Sequence, residues 1–242
     1  MGIGKNIFFI VDGIRLHNAL KTFSSAMEAE ELDSTVLGSS GAFRTFVSGF
    51  KNGSLSLEGI WDSDTTNNDK IHDVLKAAFD SQTAKQLLAS FGTIAIGGPA
   101  LMLRDSKVLQ YGISPNVGEL IMATAELRAD NAIEPGLWLF NGNATSASVN
   151  GTSVDNAAAS TNGGHYQGHT YLESDSTATD SSFKLQHSTD NSVWADVEAA
   201  QSVGATKGSI SRVVTGTINR YTRIVFTATG GKAYGVAALV RR

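Results

Sequence analysis

The chain has 242 residues, 41% of them apolar and 17% charged, with a formal net charge of −4 at pH 7. That is enough apolar content for one large or two ordinary cores, and too little charge for an extended disordered chain. No apolar run approaches the roughly 20 residues of a membrane span, Ile7–Val11 is too short for a signal-peptide core, and the acidic balance argues against a basic nucleic-acid clamp. Cysteine is absent, which excludes disulfides, thiolate metal sites and thiol catalysis.

Glycine is frequent, at 25, and proline rare, at 3. With many Ser, Thr and Asn and several β-branched segments, this composition predicts a mainly β chain. Residues 1–140 carry 16 acidic and 11 basic side chains and residues 141–242 carry 7 and 8. This asymmetry predicts two domains, 1–136 and 137–242.

In chain order, Asn6–Val11 reads as a strand turning at Asp12-Gly13, a pair that tolerates positive φ, with a second strand over Ile14–Phe23. The acidic stretch Ala26–Asp33 fits a strand or, through its Ala, Met and Glu, a helix. Ser34–Gly53 reads as a long loop carrying Phe43, Phe46 and Phe50. Its aromatics either tuck into the chain's own core or order against a neighbouring subunit. After a turn at Asn52-Gly53, Ser54–Asp62 is a strand. Its Leu55, Leu57 and Trp61 face one way and Ser54, Ser56 and Glu58 the other. Gly59 marks a bulge or a close backbone approach. Ile71, Val74, Leu75, Ala78 and Phe79 recur at helical spacing, so a helix is expected over about 69–80, capped by Asn67 or Asn68.

Further strands are expected at Gln86–Gly97, Ala100–Ile113 and Leu120–Ala129, with a boundary at Glu134-Pro135-Gly136. In the second half, Asn141-Gly142, Asn150-Gly151 and Asn162-Gly163-Gly164 read as turns of a strand meander. Strands are expected at His165–Glu173, Ser182–His187, Val193–Glu198, Lys207–Thr215, Arg220–Thr229 and Ala233–Arg242, forming a β-sandwich. The last places Tyr234, Val236, Ala238 and Val240 on one face.

Chemistry-bearing patterns are weak. His165, His169 and His187 lack a carboxylate partner at metal-ligand spacing. No Gly-x-Ser-x-Gly elbow occurs, and Ser40 and Ser48 have no evident base. Asp62 and Asp64 fit capping of the following helix better than acid–base work. Neither Gly97-Gly98-Pro99 nor Gly230-Gly231-Lys232 has phosphate-loop spacing. Hence no catalytic residue, cofactor or metal is expected, and the chain reads as a non-enzymatic building block or binding module.

The segment Phe46-Val47-Ser48-Gly49-Phe50-Lys51-Asn52-Gly53-Ser54-Leu55-Ser56-Leu57-Glu58-Gly59-Ile60-Trp61-Asp62, followed by a helix, resembles the signature of phage major tail (tail tube) proteins. Val117-Gly118-Glu119-Leu120-Ile121 and Ala125-Glu126-Leu127-Arg128-Ala129-Asp130 add to the resemblance. So do Gly151–Asn156, Gln186–Trp194 and Asn219–Arg223 in the second half. The resemblance implies an N-terminal tail-tube-type β-sandwich or barrel with one α-helix and a C-terminal β-sandwich on the outside or between subunits. It implies a virion structural protein of long-tailed phages, made in the host cytoplasm, whose hexameric rings stack into a hollow tail that passes DNA. Its partners would be itself, the tape measure protein, and the tail terminator and tail tip proteins, with no membrane. On that basis Phe43, Phe46, Phe50, Leu55, Leu57 and Trp61 are candidates for contacts within and between rings, and Glu28, Glu30 and Glu58 for the lumen wall. The competing expectation is a carbohydrate- or cell-surface-binding sandwich in which Trp194 stacks on a sugar.

Overall fold

The computed structural model describes residues 7–16, 18–33, 46–63, 70–115, 117–204 and 207–242. Among the described residues the fold is mainly β with one α-helix. Strands β1 (Phe8–Val11), β2 (Ile14–Arg15), β3 (Leu20–Asp33) and β4 (Phe46–Ile60) precede helix α1 (Ile71–Ser81). Then come β5 (Lys85–Ser90), β6 (Pro99–Ser114), β7 (Met122–Thr145), β8 (Ser148–Asn150), β9 (Val154–Asp155) and β10 (Gly164–Tyr171). The chain ends with β11 (Asp180–Ser188), β12 (Ala195–Asp196), β13 (Gln201–Ser202), β14 (Gly208–Val214), β15 (Tyr221–Thr229) and β16 (Lys232–Arg241).

Ten strands form one sheet in the order β14-β10-β16-β7-β6-β5-β1-β2, with β4 also on β7 and β3 on β4. The other six, centred on β11 and β15, form a second sheet. The long sheet curls, so both faces of its strands are used in different cores. On β1, Phe9 and Val11 enter one core and Ile10 another; Leu87 and Leu88 divide likewise on β5, as do Leu103 and Met102 on β6. The first core lies between these strands, α1 and Leu55, Leu57, Ala125 and Leu127 of β4 and β7. The second holds Ile10, Leu88, Met102, Trp138 and Val236. The third packs Leu139, Tyr166 and Leu239 of the long sheet on Phe183, Leu185 and Phe226 of the short one. Alternation along each strand is what lets one sheet serve two cores.

Several expectations need correction. Asn52-Gly53 is not a turn: β4 starts at Phe46 and pairs with β3, with Glu28 opposite Asn52 and Met27 opposite Gly53. The stretch Ala26–Asp33 is therefore strand rather than helix. The β2 strand is only two residues long, and β3 begins after the turn that Ala19 closes by donating to the Leu16 carbonyl. Lys70 caps α1 without a side-chain hydrogen bond, and Asn67 and Asn68 lie outside the described residues. The point between residues 136 and 137 lies inside β7, not in a linker, and Asn141-Gly142 is also mid-strand. Pro135 is accommodated because it pairs with Leu101 of β6 while, among the described residues, the opposite edge of β7 has no strand between Ala129 and Leu137. A missing N–H therefore costs little there. The second half does form a sandwich, but one of its layers (β7, β16, β10, β14) continues into the first half.

The expected close approach at Gly59 is real: a Cβ there would lie 2.5 Å from Ile71 Cδ1 and 2.6 Å from the Ala19 carbonyl oxygen. A second close approach closes the curled sheet. Gly13, at φ +82°, sits in the β1–β2 turn, where a Cβ would lie 2.3 Å from both Gly208 N and the Thr170 carbonyl oxygen. Around it a polar seam joins β10 and β14 to β1, β5, β6 and β7. The Gly13 N–H donates to His169 Nδ1 at 3.3 Å. Asp12 accepts from Ser209 Oγ and the Gln86 N–H, both at 2.9 Å, and pairs with Lys85 at 3.2 Å. Gln167 Nε2 donates to the Leu103 carbonyl at 3.0 Å. His165 Nδ1 lies 2.8 Å from Glu134 Oε2, and Arg242 also binds Glu134.

This seam should make the fold acid-sensitive. Burial pushes the His169 imidazole down to about 4 from 6.5, against the opposing charge of Asp12. Its unfolded form takes a proton first, so the stability it contributes is complete above pH 6.5 and is lost as pH falls toward 4. That loss is about 3 kcal/mol. For Glu134, burial alone would raise the carboxyl, but hydrogen bonds from His165 and Arg242 outweigh it and hold it at about 2 against 4.5. Its contribution is lost below pH 4.5, through pH 2. Urea unfolding at a series of pH values should show stability falling from pH 6.5 downward. His169→Gln should flatten the arm between 6.5 and 4 while leaving the arm below 4.5. A thermal melt of Gly13→Ala should show a loss of about 2 kcal/mol or more, since the backbone is left-handed and the contact is to main chain.

Candidate functional site

Four antiparallel strands, in the order β3-β4-β7-β6, make a sheet below the first core. One face carries Phe23, Leu57, Ala125 and Tyr111 in one row and Leu55, Leu127 and Val108 in the next, all directed at the core. The other face is polar. Thr22, Glu58 and Thr124 form one row, and Ser24, Ser56, Glu126 and Gln110 the next. Arg128 lies beyond them, 3.3 Å from Glu126. Thr22 Oγ1 donates to Glu58 at 3.5 Å.

Both lateral edges of this sheet are open among the described residues. On one side β3 pairs only with β4 along its 14 residues. On the other, β5 pairs with β6 only as far as Ser106, and the rest of β6 has no strand besides β7. Gln82, just past α1, donates to the Val108 carbonyl at 3.2 Å. The open part of the β6 edge therefore runs from Leu109 to Ser114. Such edges are templates for another chain unless they are blunted.

The expected site residues separate into groups. Leu55 and Leu57 are core residues, at 0% and 3% exposure, because they alternate with the polar Ser54, Ser56 and Glu58 and lie on the α1 side. They are not open to a neighbouring subunit. Trp61 is half-buried against the same core, its ring 5.5 Å from His72, and its backbone N–H donates to the Ile121 carbonyl. Phe43 lies outside the described residues. Phe46 and Phe50 are on β4, and their side chains lie outside the described part of the structure. Glu58 is exposed on the polar face. Glu28 is exposed on β3 opposite Asn52, and Glu30 falls in the register shift between Ala29 and Glu31, so it belongs to no row. The face gains a member the sequence reading did not single out, Glu126. The alternation of Thr124, Glu126 and Arg128 with Ala123, Ala125 and Leu127 is the signal that marks it.

The remaining polar candidates are in use elsewhere. His165 and His169 face the seam, and His187 accepts from the Asn219 N–H in the short sheet. Among the described residues no group of three or more His, Asp or Glu is placed to hold a metal ion. Asp62 pairs with Lys70 at 3.6 Å, and Asp64 lies outside the described residues. Trp194, the expected sugar platform, has the Arg223 guanidinium 4.1 Å from its ring centroid, so that face of the indole is covered.

No family model matches the chain, and no curated protein does. Its fold is similar to several solved structures. The SPP1 tail tube matches with a TM-score of 0.44 and 11% identity, covering 55% of this chain and 77% of that one. A chain of the virion of a native gene transfer agent particle matches with a TM-score of 0.43 and 13% identity, covering 56% and 98%. The SPP1 Dit protein, described as a paradigm of hub adsorption apparatus in phages infecting Gram-positive bacteria, matches over 98% of this chain and 100% of its own, with a TM-score of 0.38 and 13% identity.

Proposed function

We propose that this chain is a structural subunit of a phage-type tail tube, tiling through its open sheet edges into rings that stack around a DNA channel. The observation that carries the reading is the four-stranded sheet with a polar face, an apolar face sealed by its own core, and two open edges. Each subunit contributes an even number of alternating strands. The β6 edge of one copy therefore meets the β3 edge of the next in antiparallel sense, and a closed ring removes every open edge. The resemblance at Phe46–Asp62 implies six copies, hence about 24 strands. Barrels of 16–18 strands already hold an aqueous channel.

Closure has only one favourable sense. The apolar face is covered by α1 and β5, so the polar face with Glu58 and Glu126 lines the lumen. Its cations are Arg128, paired with Glu126, and Lys107, opposite Arg128 in the same row. The rows of hydroxyls and amides with the carboxylates of Glu58 and Glu126 give a phosphate backbone few groups to hold it. The C-terminal sandwich then lies outside the barrel. Terminator, tape measure and tip proteins would meet the two ends of the tube.

Electron microscopy of the purified protein across a concentration series should show rings or tubes; a species that stays monomeric throughout would sink the reading. For the channel, tubes built from Glu58→Lys/Glu126→Lys should assemble but deliver DNA at least about tenfold more slowly, because each cation adds a phosphate contact. Delivery at the parental rate through intact tubes would remove these residues from the lumen.

A further inference from the structure

Resting on the tube reading, we propose that the first core is completed by a second copy of the chain: the apolar rim beside the β3 edge of one subunit packs on the apolar rim beside the β6 edge of the next. The core-facing rows of the four-stranded sheet are sealed in the middle and open at both ends. Leu57 and Ala125, the inner pair of one row, are buried in the first core. Phe23 ends that row on β3 and is only half-buried, and Phe91, stacked on it with ring centroids 4.8 Å apart, is 58% exposed. Met27, four residues along the same side of β3, is 67% exposed. Tyr111 ends the row on β6, half-buried, with its ring centroid 5.6 Å from that of His72 on α1. Ile113, the next residue on that side of β6, is 44% exposed, and Leu109 is exposed in the bulge before Gln110. The rows of the polar face end instead in Thr22 and Ser24 on β3 and in Gly112 and Gln110 on β6. The apolar groups that end the rows therefore lie on one side of the sheet, the side of the core.

Position identifies the occupant. Among the described residues neither rim is covered by its own subunit. Pairing the β6 edge of one copy with the β3 edge of the next carries the alternation of side chains across the boundary, so core side meets core side. Phe91 and Met27 of one copy then face Tyr111, Ile113 and Leu109 of its neighbour, and the first core runs from subunit to subunit around the ring. The contact is heterologous: the two rims are different patches on one molecule, and each copy turns one rim toward each neighbour, as a closed cyclic ring demands. It also supplies what a backbone ladder lacks. Main-chain hydrogen bonds hold an added strand whatever its sequence, whereas side chains give it specificity. The side chains of both rims are uncharged, so burying them against each other strands no charge away from water.

The test is analytical ultracentrifugation and electron microscopy of the full chain carrying Phe91→Asp on the β3 side or Ile113→Asp on the β6 side. Met27→Asp and Leu109→Asp serve as a second pair, and an unchanged thermal melt checks that each variant is folded. Each single variant should stay monomeric at about tenfold the concentration at which the parent assembles, because a charge enters a contact that must lose its water. Mixed in equal amounts, one variant from each side should form a dimer and stop there. Phe91→Asp keeps a sound β6 rim and Ile113→Asp a sound β3 rim, so the pair has one good contact and cannot add a third copy. Parental assembly by the folded single variants would overturn the rim contact and leave the ring to the backbone ladder alone. A mixture that stays monomeric, or a single variant that dimerises with itself, would also overturn it, because the two rims would then not be each other's partners. If the parent forms no ring or tube at any concentration, the tube reading fails first, and the rim contact with it.

Discussion

The bent hairpin of β6 and β7 is the constraint on which the rest of the molecule depends. The β7 strand is 24 residues long and holds β6 along one edge, while its other edge takes β4 over Met122–Ala129 and β16 over Leu137–Thr145. One strand thus belongs both to the four-stranded sheet of the first core and to the layer that builds the third. A bulge lets it do so. The register slips between Arg104 and Ser106, where Asp105 adopts a φ of +53°. An extra residue bends and twists a strand locally. Below the bulge Val108 and Leu127 face α1; above it Met102 and Trp138 face the second core. Without that bend the long sheet could not curl onto itself, and His169 would not reach the β1–β2 turn.

The curl explains why the seam is polar. Every residue of β10 is buried, and its side chains pointing back across the curl meet main-chain groups of the β1–β2 turn and of β6. Gln167 on the Leu103 carbonyl and His169 on the Gly13 N–H make these contacts. An apolar side chain in place of His169 would remove the partner it gives the Gly13 N–H in a buried setting. The cost falls on pH tolerance, because His169 must stay neutral where Glu134 must stay charged.

Much of this was legible in residue patterns. The alternation of Leu55 and Leu57 with Ser56 and Glu58 located both faces of β4. The helical spacing of Ile71, Val74, Leu75 and Ala78 located α1, and Tyr234 through Val240 located the face of β16. What failed was punctuation. Asn52-Gly53 and Asn141-Gly142 look like turns because their local φ freedom is large. In the fold each lies in a long ladder whose cross-strand bonds outweigh that freedom. Pro135 looked like a stop because local rules do not know which edge of a strand will lack a partner. Charge and turn composition change near residue 140, and β7 passes through that point. Edges, the feature on which the functional reading turns, are a property of pairing and have no local signature at all.

The same reasoning explains why a chain with so few ionic groups can be safe before assembly. An exposed 14-residue edge strand invites indiscriminate pairing. Here β3 carries Glu28, Glu30 and Glu31 along its projecting part, and like charges on two such edges repel each other. A β3 edge is therefore disfavoured against a second β3 edge. The β6 edge, with Leu109, Gln110, Tyr111 and Ile113, carries no acid between Leu109 and Ser114 and presents no such barrier. Selection of β6 against β3 over β3 against β3 is the choice that separates a closing ring from a two-fold dimer. In the ring we propose, the acidic stretch would act already in the free subunit, disfavouring the symmetric pairing and leaving the cyclic one available.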